Sequence, residues 1–177
     1  MMDHELIERI RDSALLRGEF TLRSGRKSKY YLDKYLFETQ PDILAALGQK
    51  FAQRIAGVPG GVERLAGAEL GGIPLVSAAS MAAGLPAVLV RNQKKDYGTA
   101  KQIEGKLNKG DRVFIVEDIA TTGGQVLEAA KVLEWLGAKV VQIVAVIDRQ
   151  EGARENIEKA GFNFGSLFTK TDLGITE

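Results

Sequence analysis

Two neighbouring acids followed by a short polar turn are the residues of this chain best suited to chemistry. Glu117 and Asp118 come directly after the apolar run 113–116, and Thr-Thr-Gly-Gly at 121–124 precedes a helical pattern. Carboxylates bind sugar hydroxyls or metal ions, and the free N–H groups at the start of a helix bind anions. The spacing therefore indicates a site for a sugar and its phosphate. The alternatives are a solvated strand end and an ordinary capped turn.

The turn differs from the two best-known phosphate-binding loops. No Gly-Lys-Ser/Thr follows it, as a Walker loop requires, and no Gly-x-Gly-x-x-Gly follows a predicted strand. Its two glycines still let the backbone approach a phosphate closely. The start of a helix would favour the anion by about 0.3–1 kcal/mol at the protein surface.

Apolar segments that alternate with helical patterns must position these acids. Strands are predicted at residues 64–69, 86–90, 113–116, 139–147 and 164–167, and helices at 3–16, 41–55, 73–83, 126–136 and 153–159. Two short strands are predicted at 20–25 and 30–35, and a long loop or loose ribbon at 92–109. This alternation predicts parallel βαβ units in an open α/β sheet, mainly parallel and flanked by helices.

Charged residues stand at the ends of four predicted strands. In an open α/β sheet, ligands bind outside the carboxyl ends of the strands. Charge at four such ends is hard to attribute to chance. We therefore expect the site to lie among these residues: Glu69, Arg91, Glu117, Asp118, Asp148 and Arg149.

Composition excludes several classes of protein and site. The chain has 177 residues, 45% of them hydrophobic, which predicts a single domain spanning 1–177 with a substantial core. It has no cysteine, so disulfides, thiolate nucleophiles and cysteine metal sites are excluded. The net charge of +1 is spread without a basic stripe, and no apolar run reaches the ~20 residues of a membrane span. We expect neither a nucleic-acid nor a membrane partner, and His4, at the N-terminus, is not expected to act in catalysis.

Several segments resemble, in the same order, those of the orotate phosphoribosyltransferases, a branch of the type I phosphoribosyltransferase family. The run Val-Phe-Ile-Val-Glu-Asp-Ile-Ala-Thr-Thr-Gly-Gly-Gln at 113–125 is similar to the motif with which the wider family binds phosphoribosyl diphosphate. The Gly-Gly-Ile-Pro turn within 66–74 and the segments 91–98 and 103–105 resemble the branch's glycine turn and mobile loop. Phe-Thr-Leu-Arg-Ser-Gly-Arg-Lys-Ser-Lys-Tyr-Tyr at 20–31 and Asp-Arg-Gln-Glu at 148–151 specify the orotate branch.

The resemblance implies a fold, an activity and a setting. The fold would be that of type I phosphoribosyltransferases, with a small N-terminal hood and a mobile loop. The activity would be transfer of ribose 5-phosphate from 5-phosphoribosyl 1-diphosphate to N1 of orotate, giving orotidine 5′-monophosphate and diphosphate in pyrimidine synthesis. Mg²⁺ would be held mainly by the substrate, with no metal-ligating residue assigned. The protein would be a cytoplasmic homodimer whose subunits share active sites.

The resemblance also implies roles for individual residues. Lys95 and Asp118 are the predicted catalytic residues, and Arg23 and Lys27 would face the diphosphate. The predicted contacts to phosphoribosyl diphosphate are Arg91, Lys95, Tyr97, Glu117, Asp118, Ile119, Ala120, Thr121, Thr122, Gly123, Gly124 and Gln125. The predicted contacts to orotate are Tyr30, Tyr31, Thr121 and Arg149. An alternative interpretation of Arg149 is a surface ion pair with Glu151.

The loop departs from the family pattern at positions that affect the diphosphate. Many members carry Lys, Glu and His where this chain has Asn92, Gln93 and Tyr97, and the Lys and His positions contact the diphosphate. Lys94 and Lys95 keep two ammonium groups nearby, so we predict preserved chemistry with weaker or rearranged binding of the diphosphate. Two other functions stay open: transfer to a different base, and regulation by a protein that binds phosphoribosyl diphosphate without catalysis.

Overall fold

Helices and strands alternate along the chain in this computed structural model, which describes residues 1–21, 25, 27–92 and 102–176. The helices are α1 (Asp3–Ala14), α2 (Lys34–Glu38), α3 (Pro41–Ala56), α4 (Gly72–Ala83), α5 (Gly124–Trp135) and α6 (Ala153–Lys159). The strands are β1 (Leu15–Thr21), β2 (Lys27–Leu32), β3 (Arg64–Ala68), β4 (Ala87–Val90), β5 (Ile103–Glu104), β6 (Arg112–Ala120), β7 (Lys139–Asp148) and β8 (Phe164–Thr169).

The central sheet has six strands in the order β5-β4-β3-β6-β7-β8. All neighbouring pairs are parallel except β4 and β5, so the predicted, mainly parallel sheet is confirmed. The chain passes from β3 outward to β4 and then returns to place β6 on the other side of β3. This reversal of strand order leaves a crevice outside the carboxyl ends of β3 and β6, where ligands of such sheets bind.

Helices cover both faces of the sheet, and alternation along β6 supplies apolar side chains to each face. Phe114 and Val116 pack in one buried cluster with residues of α3 and α4, including Phe51 and Leu75. Val113 and Ile115 pack on the opposite face with residues of α5 and α6, including Leu133 and Ile157. The three layers therefore fix β6 in the middle of the molecule.

An antiparallel hairpin of β1 and β2 forms a separate two-stranded sheet near the N-terminus. Helix α1, this hairpin and α2 are together called the hood. Its apolar residues, among them Ile10 of α1 and Tyr30 of β2, join the cluster that contains α3. The predicted first helix was too long, since α1 ends at Ala14 and Gly18 lies within β1. The second predicted strand was also wrong at its end, because Asp33 accepts a hydrogen bond from the Tyr35 N–H at 3.2 Å and starts α2 there.

Strand β6 runs further than its apolar residues predict. It was expected to end at Val116, but it continues to Ala120 because β7 pairs beside it as far as Asp148. Glu117 and Asp118 therefore lie inside a strand, with 6% and 4% of their surface exposed. A solvated strand end, one of the alternatives for these acids, is thereby excluded.

The segment predicted as a long loop or loose ribbon contains β5, which pairs with β4. Residues 93–101, on which the predicted mobile loop falls, lie outside the described residues. Among the helices of the described ranges, none is long and apolar enough to cross a bilayer. That residues 1–177 form one domain stays a prediction, supported by a single sheet that links residues 64–169.

A buried ion pair joins the amino ends of β3 and β6, at the opposite edge of the sheet from the crevice. Arg64 Nε donates to Asp111 Oδ2 at 2.6 Å, and the Asn108 N–H donates to the same oxygen at 2.8 Å. Burial would raise the pKa of Asp111, but the hydrogen bonds from Asn108 and Arg64 outweigh it and hold that pKa below its usual value.

We expect Asp111→Ala to lower the free energy of unfolding by about 3 kcal/mol, because it leaves the buried Arg64 charge without a partner. A carboxyl with a lowered folded pKa contributes stability above its unfolded pKa, and this is lost as pH falls through the folded value. The difference between wild type and variant in urea titrations should therefore be constant near neutral pH and shrink below about pH 4. Glu158→Ala, which removes the exposed pair with Arg154, is the control and should change stability by less than about 0.5 kcal/mol.

Candidate active site

Asp118 is held at the crevice by one contact to each carboxylate oxygen. Lys34 Nζ of α2 lies 2.5 Å from Asp118 Oδ2, and the Ile119 N–H donates to Asp118 Oδ1 at 2.5 Å. The Lys34 side chain is 28% exposed and that of Asp118 only 6%. Burial alone would lower the pKa of Lys34, but the charge and hydrogen bond of Asp118 outweigh it and raise that pKa. The Lys34 ammonium therefore keeps its charge around neutral pH.

Two further carboxyls lie close to this pair. Burial, and next the charge of Asp118, raise the pKa of Glu38 to about 8. The same two causes raise the pKa of Glu117. Three carboxyls thus share the single ammonium of Lys34, and the two without a salt bridge retain protons more readily than ordinary glutamates. The arrangement provides both hydrogen-bond donors and acceptors for sugar hydroxyls.

The polar turn after β6 leads directly into α5, as predicted. Gly123 has φ +78° and is the residue before the first helical one; a Cβ there would lie 2.9 Å from Ile157 Cδ1. Asn156 Nδ2 donates to the Thr122 carbonyl at 2.9 Å, which ties the turn to α6. In the described part of the chain, no side chain caps α5 by a hydrogen bond. Its first N–H groups can therefore bind an anion.

The glycine turn after β3 lies against the acids of β6. The peptide bond between Glu69 and Leu70 is cis. A Cβ on Gly71 would lie 1.9 Å from Asp118 Oδ2 and 3.1 Å from Glu38 Oε1. A side chain at Gly71 would therefore occupy the space of the two carboxylates, which explains why the closest approach of this turn is made by a glycine.

Gln125 joins the helix start to the ends of two neighbouring strands. Its Nε2 donates to the Glu69 carbonyl at 3.1 Å and to Asn92 Oδ1 at 3.3 Å, while the Asn92 N–H donates to Glu69 Oε1 at 2.6 Å. The side chain of Gln125 is thus used between β3 and β4. Only its backbone N–H is left for the predicted contact to a phosphate.

Arg149 and Tyr30 meet at the same edge of the sheet. Arg149 Nη2 donates to the Tyr30 hydroxyl at 2.9 Å, and the guanidinium lies 5.3 Å from the centre of the tyrosine ring. An ion pair between Arg149 and Glu151 at 3.1 Å is also present, so the alternative interpretation of Arg149 describes one of its contacts. The side chain is only 13% exposed, and its Nε is buried without a partner among the described residues.

The two predicted tyrosines do not lie together. Tyr30 is buried beside Arg149, whereas Tyr31 is 43% exposed and packs against the ring of Phe20 at 5.7 Å between centroids. Neighbouring residues of a strand point to opposite faces, so β2 separates them. Tyr31 therefore lies on the face of β2 away from Tyr30 and Arg149.

Arg91 follows β4 at the entrance to the undescribed segment. Its N–H donates to the Gln102 carbonyl at 2.9 Å, and its Nη1 lies 3.7 Å from Glu104 Oε1. Its Nε is buried without a partner among the residues described. The predicted diphosphate contacts Lys95 and Tyr97, together with Arg23, lie outside the described residues.

Sequence reasoning missed Lys34 and Glu38 because it assigned residues 30–35 to a strand. The signals for a helix were present, since Asp33 is a good N-cap residue and Lys34 and Glu38 are four residues apart. Within the described ranges, no group of three or more histidine, cysteine, aspartate or glutamate side chains could hold a metal ion.

Comparison with known proteins identifies the family of this chain. A model described as phosphoribosyl transferase domain matches residues 36–165. The chain is 46% identical to the orotate phosphoribosyltransferase of Methanocella arvoryzae, over 97% of each protein. This chain belongs to the orotate phosphoribosyltransferase family. The predicted resemblance is confirmed.

Solved structures of orotate phosphoribosyltransferases share the whole fold of the chain. The enzyme of Mycobacterium tuberculosis H37Rv superposes with a TM-score of 0.88 at 33% identity, over 98% of this chain and 99% of that one. A structure of the M. tuberculosis enzyme described as a complex with 5-phospho-alpha-D-ribosyl 1-diphosphate gives a TM-score of 0.83 at 33% identity and the same coverage. The predicted type I phosphoribosyltransferase fold is confirmed.

Proposed function

We propose that this chain transfers ribose 5-phosphate from 5-phosphoribosyl 1-diphosphate to orotate, as the name of its family states. One observation carries the assignment to orotate. Arg149 of the orotate-specific segment packs on Tyr30 of the other orotate-specific segment, and the Arg149 N–H donates to the Ala120 carbonyl at 2.9 Å. The Arg149 side chain, which suits a nucleobase that carries a carboxylate, therefore stands directly beside the turn at 121–124.

The sugar half of the proposed site is formed by the end of β6 and the start of α5. Glu117 and Asp118 would bind the ribose hydroxyls, and the backbone of the turn would bind the 5-phosphate. The remaining proposed contacts to phosphoribosyl diphosphate come from the end of β6, the turn and the start of α5: Ile119, Ala120, Thr121, Thr122, Gly123, Gly124 and Gln125. No protein nucleophile is required, because C1 gains positive charge as its bond to the diphosphate breaks. Positioning and the negative charge of nearby carboxylates lower the barrier.

The base half would be formed by Arg149, Tyr30 and Thr121. A guanidinium presents two parallel N–H groups that match a planar carboxylate such as that of orotate. The Tyr30 hydroxyl and ring hold Arg149 from one side, so less side-chain freedom is lost when the base binds. Tyr31, on the other face of β2, is proposed to contact the base once the site is filled.

The leaving diphosphate would be bound by cations. Arg91 stands at the end of β4, and Lys95 and Tyr97 follow it in sequence. Mg²⁺ would neutralise the diphosphate when bound. Substrate oxygens and water are its expected ligands, which is the coordination Mg²⁺ commonly takes with phosphates.

We expect Lys95→Ala to lower kcat by about 100-fold with little change in the free energy of unfolding, since a charge on the leaving group matters most in the transition state. Initial rates and urea titrations of the same preparation measure the two effects. Lys106→Ala, an exposed lysine just past β5, is the control and should keep wild-type rates. Wild-type turnover in Lys95→Ala would remove this residue from the mechanism.

The homodimer with shared sites and the cytoplasmic location are further proposals, supported by the family resemblance. If Arg91 and Lys95 enter the neighbouring subunit's site, mixing the weakly active Lys95→Ala and Arg149→Gln chains should restore much of the activity. Each mixed dimer would then contain one site with both native residues. A fully active monomer in sedimentation experiments would contradict the shared site, and cell fractionation would test the location.

The proposed function is tested by the loss of orotate absorbance in the presence of phosphoribosyl diphosphate and Mg²⁺, with release of diphosphate followed in parallel. Coupled loss and release are the expected result. Equal or faster turnover with hypoxanthine, xanthine or adenine would overturn the choice of orotate. Binding of phosphoribosyl diphosphate without diphosphate release from any base would instead identify a regulator.

A further inference from the structure

The short helix α2 brings two ionisable side chains close to Glu117 and Asp118, the acids proposed to bind the ribose. The proposed mechanism uses neither of these two side chains from α2. Lys34 and Glu38 are one helical turn apart, and Lys34 makes the 2.5 Å ion pair with Asp118 described above. These residues come from the hood, whereas Asp118 comes from the centre of the sheet. The ion pair is therefore a direct link between the hood and the proposed sugar site.

Glu38 belongs to the same cluster as this ion pair. It is 1% exposed, and neither of its carboxyl oxygens has a hydrogen-bond partner among the described residues. Its Oε1 and Asp118 Oδ2 both lie against the Cβ position of Gly71, at 3.1 Å and 1.9 Å. A buried carboxyl without a partner is costly, and such groups are retained where they serve a neighbouring site.

The charges of the cluster explain how Glu38 affects Asp118. Asp118, Glu117, Lys34 and Asp33 are the charged groups that face Glu38. The pKa of Glu38 is raised to about 8, first by burial and then by Asp118. While Glu38 is protonated and neutral, the Lys34 ammonium interacts with the Asp118 carboxylate alone. Once Glu38 ionises, the carboxylates of Glu38 and Asp118 compete for the Lys34 ammonium.

We propose that Lys34 and Glu38 are positioning residues through which the hood fixes the orientation of Asp118 for binding the ribose. This inference rests on the proposed function, because it assumes that Asp118 contacts the sugar. Lys34 does not itself contact substrate in this role. It restrains the Asp118 carboxylate at one oxygen and leaves the remaining lone pairs of that carboxylate for the ribose hydroxyls.

The test compares Lys34→Met, Lys34→Arg and Glu38→Gln by calorimetric binding of phosphoribosyl diphosphate with Mg²⁺, and by KM and kcat. Lys34→Met should weaken binding of phosphoribosyl diphosphate about tenfold or more, since a hydrogen bond to a charged group is lost. The KM for orotate should stay within about twofold. Lys34→Arg should recover binding to within about threefold of wild type, because it keeps the charge. Lys50→Met, which removes the ion pair of α3 with Asp3, is the remote control.

A pH series gives an independent measurement that does not depend on Lys34→Met folding. Wild-type affinity for phosphoribosyl diphosphate should decrease as pH rises through about 8, where Glu38 loses its proton. Glu38→Gln cannot ionise at position 38 and should lose less affinity than wild type between pH 7 and 9, with the remaining loss coming from Glu117, whose pKa is also raised. At the upper end of this range it should bind about tenfold tighter than wild type. Equal pH profiles of the two proteins would overturn the role of Glu38.

The outcomes separate this inference from the proposed function. A folded Lys34→Met chain that binds phosphoribosyl diphosphate like wild type, with reduced stability only, would show that the ion pair is merely structural. Wild type that binds phosphoribosyl diphosphate but does not consume orotate would overturn the proposed reaction and leave the binding comparison valid. Wild type that does not bind phosphoribosyl diphosphate would overturn both.

Discussion

Gly71→Ala is expected to lower kcat/KM for phosphoribosyl diphosphate by about 10- to 100-fold in a protein that still folds. The added methyl group would lie 1.9 Å from Asp118 Oδ2, so the carboxylate must move away from Lys34. The φ angle of Gly71 is −66°, which alanine adopts readily, so backbone strain is not the cause. Overpacking should cost about 1–3 kcal/mol of stability, which urea titration would measure beside the initial rates.

Gly57→Ala provides the matched control for this substitution. Gly57 is the C-cap residue that follows α3, and its φ is −86°. A Cβ added there would make an ordinary contact of 3.6 Å with the Arg54 carbonyl oxygen. The control should keep wild-type kcat/KM and nearly wild-type stability. A folded Gly71→Ala chain with unchanged kcat/KM would show that the position of Asp118 is not needed, and would contradict its proposed role at the ribose.

Arg149→Gln is expected to lower kcat/KM for orotate by about 100-fold or more while the affinity for phosphoribosyl diphosphate changes little. The substitution removes a partly buried guanidinium, and losing one partner of a desolvated charge pair costs about 2–5 kcal/mol. Arg149→Lys should be nearly as poor, since lysine keeps the charge but cannot present two parallel N–H groups to a carboxylate. Steady-state rates with each substrate varied in turn would measure the difference.

Two further variants test the reason for this effect. Tyr30→Phe removes the hydroxyl that accepts from Arg149 Nη2 and should cost about 5- to 10-fold in kcat/KM for orotate, because only one hydrogen bond is lost. Arg154→Gln removes an exposed guanidinium from α6 and should leave both substrates unaffected. Loss of phosphoribosyl diphosphate binding in Arg149→Gln, with orotate binding kept, would contradict the assignment of Arg149 to the base.

Strongly periodic segments of this chain could be predicted from sequence, and short or locally ambiguous ones could not. Helix α3 could be predicted at 41–55 because its apolar residues recur over four turns, and the helix ends one residue later, at Ala56. Helix α2 was missed since five residues carry too little periodicity. The last four residues of β6 were missed because acids are unusual in a strand, and only the pairing with β7 keeps them extended.

The acids at 117–118 and the polar turn at 121–124 were predictable because they are nearly contiguous in sequence and their order is typical of one function. The partner of Asp118 was not predictable, since Lys34 is 84 residues away and the contact depends on how the hood packs. The separation of Tyr30 from Tyr31 follows from strand alternation and could have been expected. The raised pKa values of Glu38 and Glu117 depend on burial, which the sequence does not show for a charged residue.

The contact between Arg149 and Tyr30 spans 119 residues of chain, whereas the proposed sugar-phosphate contacts from Glu117 to Gln125 occupy one continuous stretch. The two halves of the site are therefore encoded differently. A single strand-turn-helix unit would supply the contacts of the sugar half, while Lys34 of the hood restrains Asp118 from outside that unit. The base half is assembled from distant parts. Its specificity can therefore be redesigned at the hood and at the end of β7 while the strand-turn-helix unit stays unchanged.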